Sequence, residues 1–156
     1  MKKFIIYVLC FVLLLGLAGC GVVEKECYAG FEKVNFVVVE EKDSHGGFHG
    51  DGTYYLVLDC SQNKEKAMET VKEWKELPLT ENLNMVLYGD ENHKYHFAEE
   101  VNIPEIINGY YYFYDRHSES TDAGDDTNLL RRASFNFTVA IYDSDMDKMY
   151  YVEFDT

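Results

Sequence analysis

The chain has little positive charge. It contains 14 lysines and arginines against 28 aspartates and glutamates, a formal net charge of −14 over 156 residues. Such a protein is repelled by nucleic-acid phosphates and by anionic lipid headgroups, because its own field has the same sign. The composition therefore excludes nucleic-acid binding. Divalent cations, cationic peptides and basic protein surfaces remain compatible partners, although acidity alone more often serves solubility.

Long hydrophobic runs are also scarce. The only extended one, from Phe4 to Leu15, spans 12 residues, whereas a membrane-spanning helix needs about 20. Lys2 and Lys3 precede this run, and Leu17-Ala18-Gly19-Cys20 follows it. A charged start, a short apolar segment and small residues before a cleavage position are the parts of a secretory signal.

The LAGC sequence at 17–20 resembles the lipobox of bacterial lipoproteins. This resemblance implies cleavage before Cys20 and a diacylglycerol on its sulfur. One acyl chain binds a bilayer only marginally, whereas two chains anchor a protein stably. We therefore expect a lipid-anchored protein on the extracytoplasmic side of the cell membrane, with ordinary secretion and an uncleaved anchor as the alternatives.

The mature chain has the size of one domain. Removal of residues 1–19 deletes two lysines and no acid, which leaves 137 residues and changes the formal charge from −14 to −16. A length of this order is usual for a single domain. We expect a signal peptide at 1–19, the lipidated Cys20 with a tether at 20–32, and one globular domain at 33–156.

Few cysteines remain for a disulfide framework. With Cys10 in the signal and Cys20 lipidated, only Cys27 and Cys60 are left. An extracytoplasmic pair can form a disulfide. The alternative is two ordinary thiols, and the sequence leaves both open.

The pattern of the mature chain predicts an α+β fold. Alternating or β-branched segments indicate strands at 34–40, 54–59, 84–88, 110–114, 135–142 and 149–154, with a weak extension at 94–97. Helical spacing of apolar residues predicts one principal helix at about 61–75, followed by a single turn near Leu129 to Arg131. We expect a mainly antiparallel sheet of five to seven strands with this helix packed on it.

The glycine-dense segment 45–52, HGGFHGDG, is the first candidate site. Histidine and aspartate bind metals, and glycines allow a ligand to approach the backbone closely. Its candidate binding residues are His45, Phe48, His49 and Asp51, of which the histidines and the aspartate are weak metal candidates. Four glycines exclude the helix that would align the histidines, so a tight turn with solvated polar residues is the competing interpretation.

Two acidic segments offer partial calcium patterns. Residues 143–147, DSDMD, match the first three ligand positions of a calcium loop, but Lys148 replaces the required glycine and Phe154 the bidentate glutamate. A hairpin turn with solvated acids is the favoured interpretation. Asp122, Asp125 and Asp126 suggest loose calcium binding, with a solvated loop again favoured.

The aromatic segment 110–114, YYYFY, and its neighbours give the last candidates. Tyrosines can present a flat face to a sugar or peptide, but one side of this strand must be core. The following Asp115, Arg116, His117 and Ser118 include acid–base types without any predicted partner, so no catalytic residue is assigned. Arg131 and Arg132 are interpreted as balancing neighbouring acids.

Three segments of the mature chain, 45–52, 103–116 and 133–143, resemble a group of small uncharacterised proteins of Gram-positive bacteria, and this resemblance implies no activity. The leading hypothesis is a non-enzymatic module, without a cofactor, that binds a protein, peptide or envelope component through the 45–52 loop and exposed tyrosines. The alternative is a small metal-dependent hydrolase that uses the metal candidates above, joined by His93, His96 or His117.

Overall fold

The fold is that of a computed structural model, which describes residues 29–31, 36–46, 50–90, 95–118 and 120–156. The predicted signal peptide, Cys20 and Cys27 lie outside these residues. Among the described residues, no helix is long and apolar enough to cross a membrane.

A six-stranded antiparallel sheet forms the centre of the domain, which confirms the predicted α+β class. Its order is β1-β2-β6-β5-β4-β3, and every neighbouring pair is antiparallel. The strands are β1 (Val37–Asp43), β2 (Gly52–Asp59), β3 (Lys75–Glu76), β4 (Gly109–Asp115), β5 (Asn136–Asp143) and β6 (Lys148–Asp155).

Helices cover both faces of the sheet, so the prediction of one principal helix is only loosely matched. A 3₁₀ turn (Ser61–Asn63) leads into α1 (Lys64–Val71), and α2 (Glu81–Tyr88) has the same length of eight residues. A short helix, α3 (Phe97–Glu100), and a second 3₁₀ turn (Leu129–Arg131) follow. Two helices of equal length on opposite faces make a three-layer arrangement.

Strand β5 supplies core residues to both layers. Phe137, Val139 and Ile141 point into the cluster with α2 and α3, as the alternation in sequence predicts. Ala140 and Tyr142 point into the opposite cluster, where they meet Ala67 and Val71 of α1. The central strands are therefore buried on both faces, and the hairpin predicted at 135–142 and 149–154 is confirmed.

Helix α2 lies where a strand was predicted at 84–88, and that prediction is wrong. The Thr80 hydroxyl accepts a hydrogen bond from the Leu83 amide at 3.2 Å and so caps the helix, and Gly89, with φ of +71°, ends it. Leu83, Val86 and Leu87 are buried on one face. The weak strand extension at 94–97 is also wrong for its described residues, because Tyr95 and His96 form no strand and Phe97 begins α3.

The two edges of the sheet differ. Strand β3 has only two residues, whereas β1 forms a seven-residue edge on the other side. The β1–β2 register shifts between Val38 and Glu40, which is a β-bulge at Val39. Val37 and Val39 of this edge are more than half exposed.

Candidate functional site

The predicted loop at 45–52 is held in place through His45. Its Nδ1 lies 2.7 Å from Asp43 Oδ1 and its Nε2 lies 3.1 Å from Asp155 Oδ2. A Cβ on Gly52 would approach the Cα of His45 to 2.5 Å, so this turn requires glycine there. The imidazole thus joins the β1–β2 loop to the end of β6.

The surroundings of His45 favour its protonated form. Burial alone lowers the pKa of His45, but the hydrogen bonds with Asp43 and Asp155 outweigh burial and raise it above 6.5. A metal ligand needs a neutral imidazole with a free nitrogen. Both nitrogens of His45 already face carboxylates, so this residue serves as a latch between two strands.

The metal candidates do not converge within the part of the chain that the structure describes. No group of three or more histidine, cysteine, aspartate or glutamate residues suitable for a metal occurs there. Asp51 is exposed, and His96 packs beside Gly89. Phe48, His49 and His93 lie outside the described residues, so the metal hypothesis that depends on them stays a prediction.

Asp155 connects the latch to a second polar region. The Arg116 Nη2 lies 2.6 Å from Asp155 Oδ1, and its Nη1 donates to Thr138 Oγ1 at 2.5 Å. Asn136, with its amide nitrogen turned toward Asp155 Oδ1 at 3.0 Å, accepts from the His117 ring at 2.8 Å. The end of β4, the start of β5 and the end of β6 therefore share one hydrogen-bonded network.

A cavity of about 300 Å³ opens beside this network, in the segment between β4 and β5. Every described residue that lines it is polar or charged: Asp115, His117, Ser118, Ser120, Asp125, Asn128, Arg131 and Arg132. A few well-placed polar groups orient a small molecule in a binding cavity. The side chains around this cavity supply both hydrogen-bond donors and acceptors for a small polar ligand.

The ion pair between Arg132 and Asp115 anchors the cavity wall. Arg132 Nη1 lies 3.0 Å from Asp115 Oδ1, and the Asp115 side chain is only 5% exposed. The same oxygen accepts the His117 backbone N–H at 3.0 Å. The interpretation that the arginine pair balances acids is therefore confirmed for Arg132.

The remaining donors of Arg132 are not satisfied. Its Nε and Nη2 are buried and have no hydrogen-bond partner among the described residues. Arg131, next to it, is exposed. A buried guanidinium N–H without a partner is costly, because the protein has removed its water without replacing the hydrogen bond. Arg132 is thus a cation with spare hydrogen-bonding capacity beside the cavity.

The acids of the 118–127 segment mostly support their own loop. Asp125 Oδ1 accepts from the Thr127 hydroxyl and amide, which lower the pKa of Asp125. Asp122 accepts the Gly124 amide at 2.8 Å. Asp126 is buried and hydrogen-bonded to the Thr80 hydroxyl. These contacts fix the turns that form the outer wall, and loose calcium binding stays a prediction.

The acidic turn between β5 and β6 is internally satisfied as well. Asp143 Oδ1 accepts the amides of Asp145 and Met146 at 2.8 and 3.0 Å. Asp147 pairs with Lys64 Nζ at 2.9 Å, which is the largest cause of its lowered pKa, and also accepts from the Tyr142 hydroxyl. This turn, residues 143–148, stabilises the hairpin with its carboxylates.

The aromatic strand is largely core. Tyr111 and Phe113 are buried against the α2 layer, whereas Tyr110 and Tyr112 are partly buried against the α1 layer. Tyr114 alone in this strand is clearly exposed, at 40%. The core-packing interpretation therefore describes this segment better than a flat aromatic binding face.

Cys60 is buried and has no disulfide partner among the described residues, and burial raises the pKa of its thiol to about 12. A thiol held in its neutral form is a poor nucleophile. Its predicted disulfide partner, Cys27, lies outside the described residues, so that bond stays a prediction.

No family model, curated protein or solved structure matches the chain. The function must therefore be inferred from the site itself. The cavity was missed at the level of sequence, although one signal was present: the only three arginines of the chain are Arg116, Arg131 and Arg132. All three lie at this end of the sheet, which is unusual in so acidic a protein.

Proposed function

We propose that the chain is an extracytoplasmic binding domain, held at the cell membrane by lipid on Cys20, with its ligand site in the cavity beside Arg131 and Arg132. The observation that carries the binding role is a cavity whose described lining residues are all polar or charged, beside the unsatisfied donors of Arg132. The sequence LAGC at 17–20 supports the anchor. A volume of about 300 Å³ is at the lower end of small-molecule sites.

The contacts around the cavity favour binding over acyl transfer. Nucleophilic catalysis by serine needs a hydroxyl hydrogen-bonded to a base. In the described part of the chain, the His117 ring is hydrogen-bonded to Asn136, and the Ser118 hydroxyl accepts the Ser120 amide. The side chains that could act as nucleophile and base are thus engaged separately.

The net charge supports an outward-facing orientation. A mature chain with a formal charge of −16 is repelled by anionic headgroups, while two acyl chains hold it at the bilayer. The acyl chains hold the protein at the bilayer while electrostatic repulsion pushes the acidic domain away from the headgroups. The domain then faces outward, and its cavity stays accessible from outside.

Metabolic labelling tests the anchor. Bacteria that express the full chain are grown with an alkyne-bearing fatty acid, and the label on the protein is measured. We expect label and membrane fractionation for the wild type, and loss of both for Cys20→Ser. Cys10→Ser is the matched control, since it makes the same change inside the apolar run, and should keep the label. Retention of label by Cys20→Ser would overturn the anchor.

A further inference from the structure

We propose that the cavity between β4 and β5 binds a small zwitterion of amino-acid type, whose carboxylate contacts Arg131 beside the charge of Arg132 and whose ammonium contacts Asp125. This inference rests on the proposed function, because it names the ligand class of the same cavity. It follows from the balance of charge in the wall, the unmet donors of Arg132 and the size of the space.

Among the residues that the structure describes, the charges that line the cavity are balanced, unlike those of the whole chain. Arg131 and Arg132 contribute two positive charges, and Asp115 and Asp125 contribute two negative ones. The protein as a whole has a formal charge of −14. A simple anion would have to approach against this field, whereas a zwitterion carries no net charge and meets no such barrier.

The arginine side of the cavity suits a carboxylate. An arginine guanidinium presents planar pairs of N–H donors that match the two oxygens of a carboxylate. Asp115 engages only Nη1 of Arg132, so the Nε–Nη2 edge has no partner among the described residues. Because these two atoms are shielded from water, the accessible Arg131 is the first contact for an incoming carboxylate.

The acidic side of the cavity suits an ammonium group. Asp125 is partly exposed, and its hydrogen bonds with Thr127 both use one oxygen, Oδ1. Asp115 is less available, since Arg132 already neutralises it. Asp125 is thus the acid of the wall that can accept a ligand cation, with the hydroxyls of Ser118 and Ser120 as further polar groups.

Calorimetric titration of the full-length protein in detergent micelles tests the ligand class. The probes are the common L-amino acids and alanyl-alanine, followed by the N-acetyl and amide derivatives of the tightest binder. These derivatives remove the ammonium and the carboxylate charge in turn. We expect the zwitterion to bind, and each derivative to bind at least about tenfold more weakly.

Matched variants locate the binding. Arg131→Gln and Asp125→Asn change one exposed and one partly exposed side chain, and each should weaken binding about tenfold or more while the protein still unfolds cooperatively. Lys72→Gln makes the same charge change as Arg131→Gln at the end of α1, and should bind like the wild type. Because neither side chain is buried, these two positions keep the test informative even where an Arg132 variant fails to fold.

Three outcomes overturn the proposal. The first is that no zwitterion binds at about 1 mM to protein that unfolds cooperatively. The second is equal binding by all three variants. The third is binding of inorganic phosphate, lost in Arg131→Gln, without binding of any zwitterion, which would assign the cavity to oxyanions. None of these results bears on the Cys20 labelling. The proposal of a lipid anchor and the proposal of a zwitterionic ligand can therefore be refuted separately.

Discussion

Both ends of the central sheet contain clusters of charged side chains, but the hydrogen bonds of these side chains are satisfied differently at the two ends. At the turn of residues 143–148, Asp143 and Asp147 accept hydrogen bonds from backbone amides, Lys64 and Tyr142. At the cavity end, Arg132 is paired through one nitrogen and keeps two unsatisfied ones. A polar cluster whose bonds are all internal stabilises the fold, whereas unsatisfied donors beside a cavity indicate a ligand.

Removal of Arg132 should have the largest effect on stability. Arg132→Met leaves the carboxylate of Asp115, which is 5% exposed, without its cation. We expect the free energy of unfolding to fall by about 2–4 kcal/mol, because an uncompensated charge is costly in the interior. Urea denaturation measures this change. Arg131→Met is the control and should remain within about 0.5 kcal/mol of wild type; equal losses would contradict the assigned roles.

A substitution in the turn of residues 143–148 should cause the second-largest loss of stability. Asp143→Ala removes the acceptor of two backbone amides, and we expect a loss of about 1–2 kcal/mol in urea denaturation. Asp145→Ala, in the same turn, removes an exposed carboxylate that accepts only from Asn108 among the described residues. It should cost less than about 0.5 kcal/mol. A larger loss for Asp145→Ala would show that the turn is not held by Asp143.

The His45 latch should give a smaller, pH-dependent effect. Since the folded-state pKa of His45 is raised above 6.5, its contribution is complete below about pH 6.5 and disappears as the pH rises through the folded-state pKa. The contribution should not exceed about 1 kcal/mol, because the site is partly solvated.

The difference in Tm between wild type and His45→Gln at about pH 5.5 and about pH 8.5 measures the latch. We expect a larger difference at the lower pH. Asp51→Asn, in the same loop, is the control and should leave the pH dependence unchanged. A difference that grows with pH would contradict the latch.

Calcium should have the smallest effect. The carboxylates of the 143–148 turn already have internal donors, and the pattern lacks the glycine and the bidentate glutamate of a calcium loop. We expect calcium to raise Tm no more than magnesium does at equal ionic strength. A calcium-specific rise that Asp143→Ala abolishes would restore the turn as a metal site.

Sequence patterns predicted the strands better than the helices. The alternation at 135–142 identified β5 because one of its faces is uniformly large and apolar. Helix α2 was mistaken for a strand because Met85, Val86 and Leu87 form a short apolar run, and such runs suit either element. Thr80 caps the N-terminus of this segment and Gly89 ends it, and both features favour a helix over a strand.

The candidate site was less predictable, because it depends on contacts that are distant in sequence. His45 and Asp155 are 110 positions apart, and Arg116 reaches Asp155 across 39. The sequence shows which side chains are available, but pairing across a sheet decides which of them meet. Arg132 illustrates this limit. The sequence predicts that an acidic residue pairs with it, but not which one, and it does not predict that Nε and Nη2 have no partner among the described residues.

The bulge at Val39 affects how readily two copies of the protein can pair through their sheet edges. A long sheet edge with exposed valines is a template for pairing with the same edge of another molecule. The bulge interrupts the ladder at Val39, and the charged side chains of Glu40, Glu41 and Lys42 follow it directly. If Cys20 carries the proposed lipid anchor, we therefore expect neighbouring copies on one membrane to stay separate rather than to assemble into fibres.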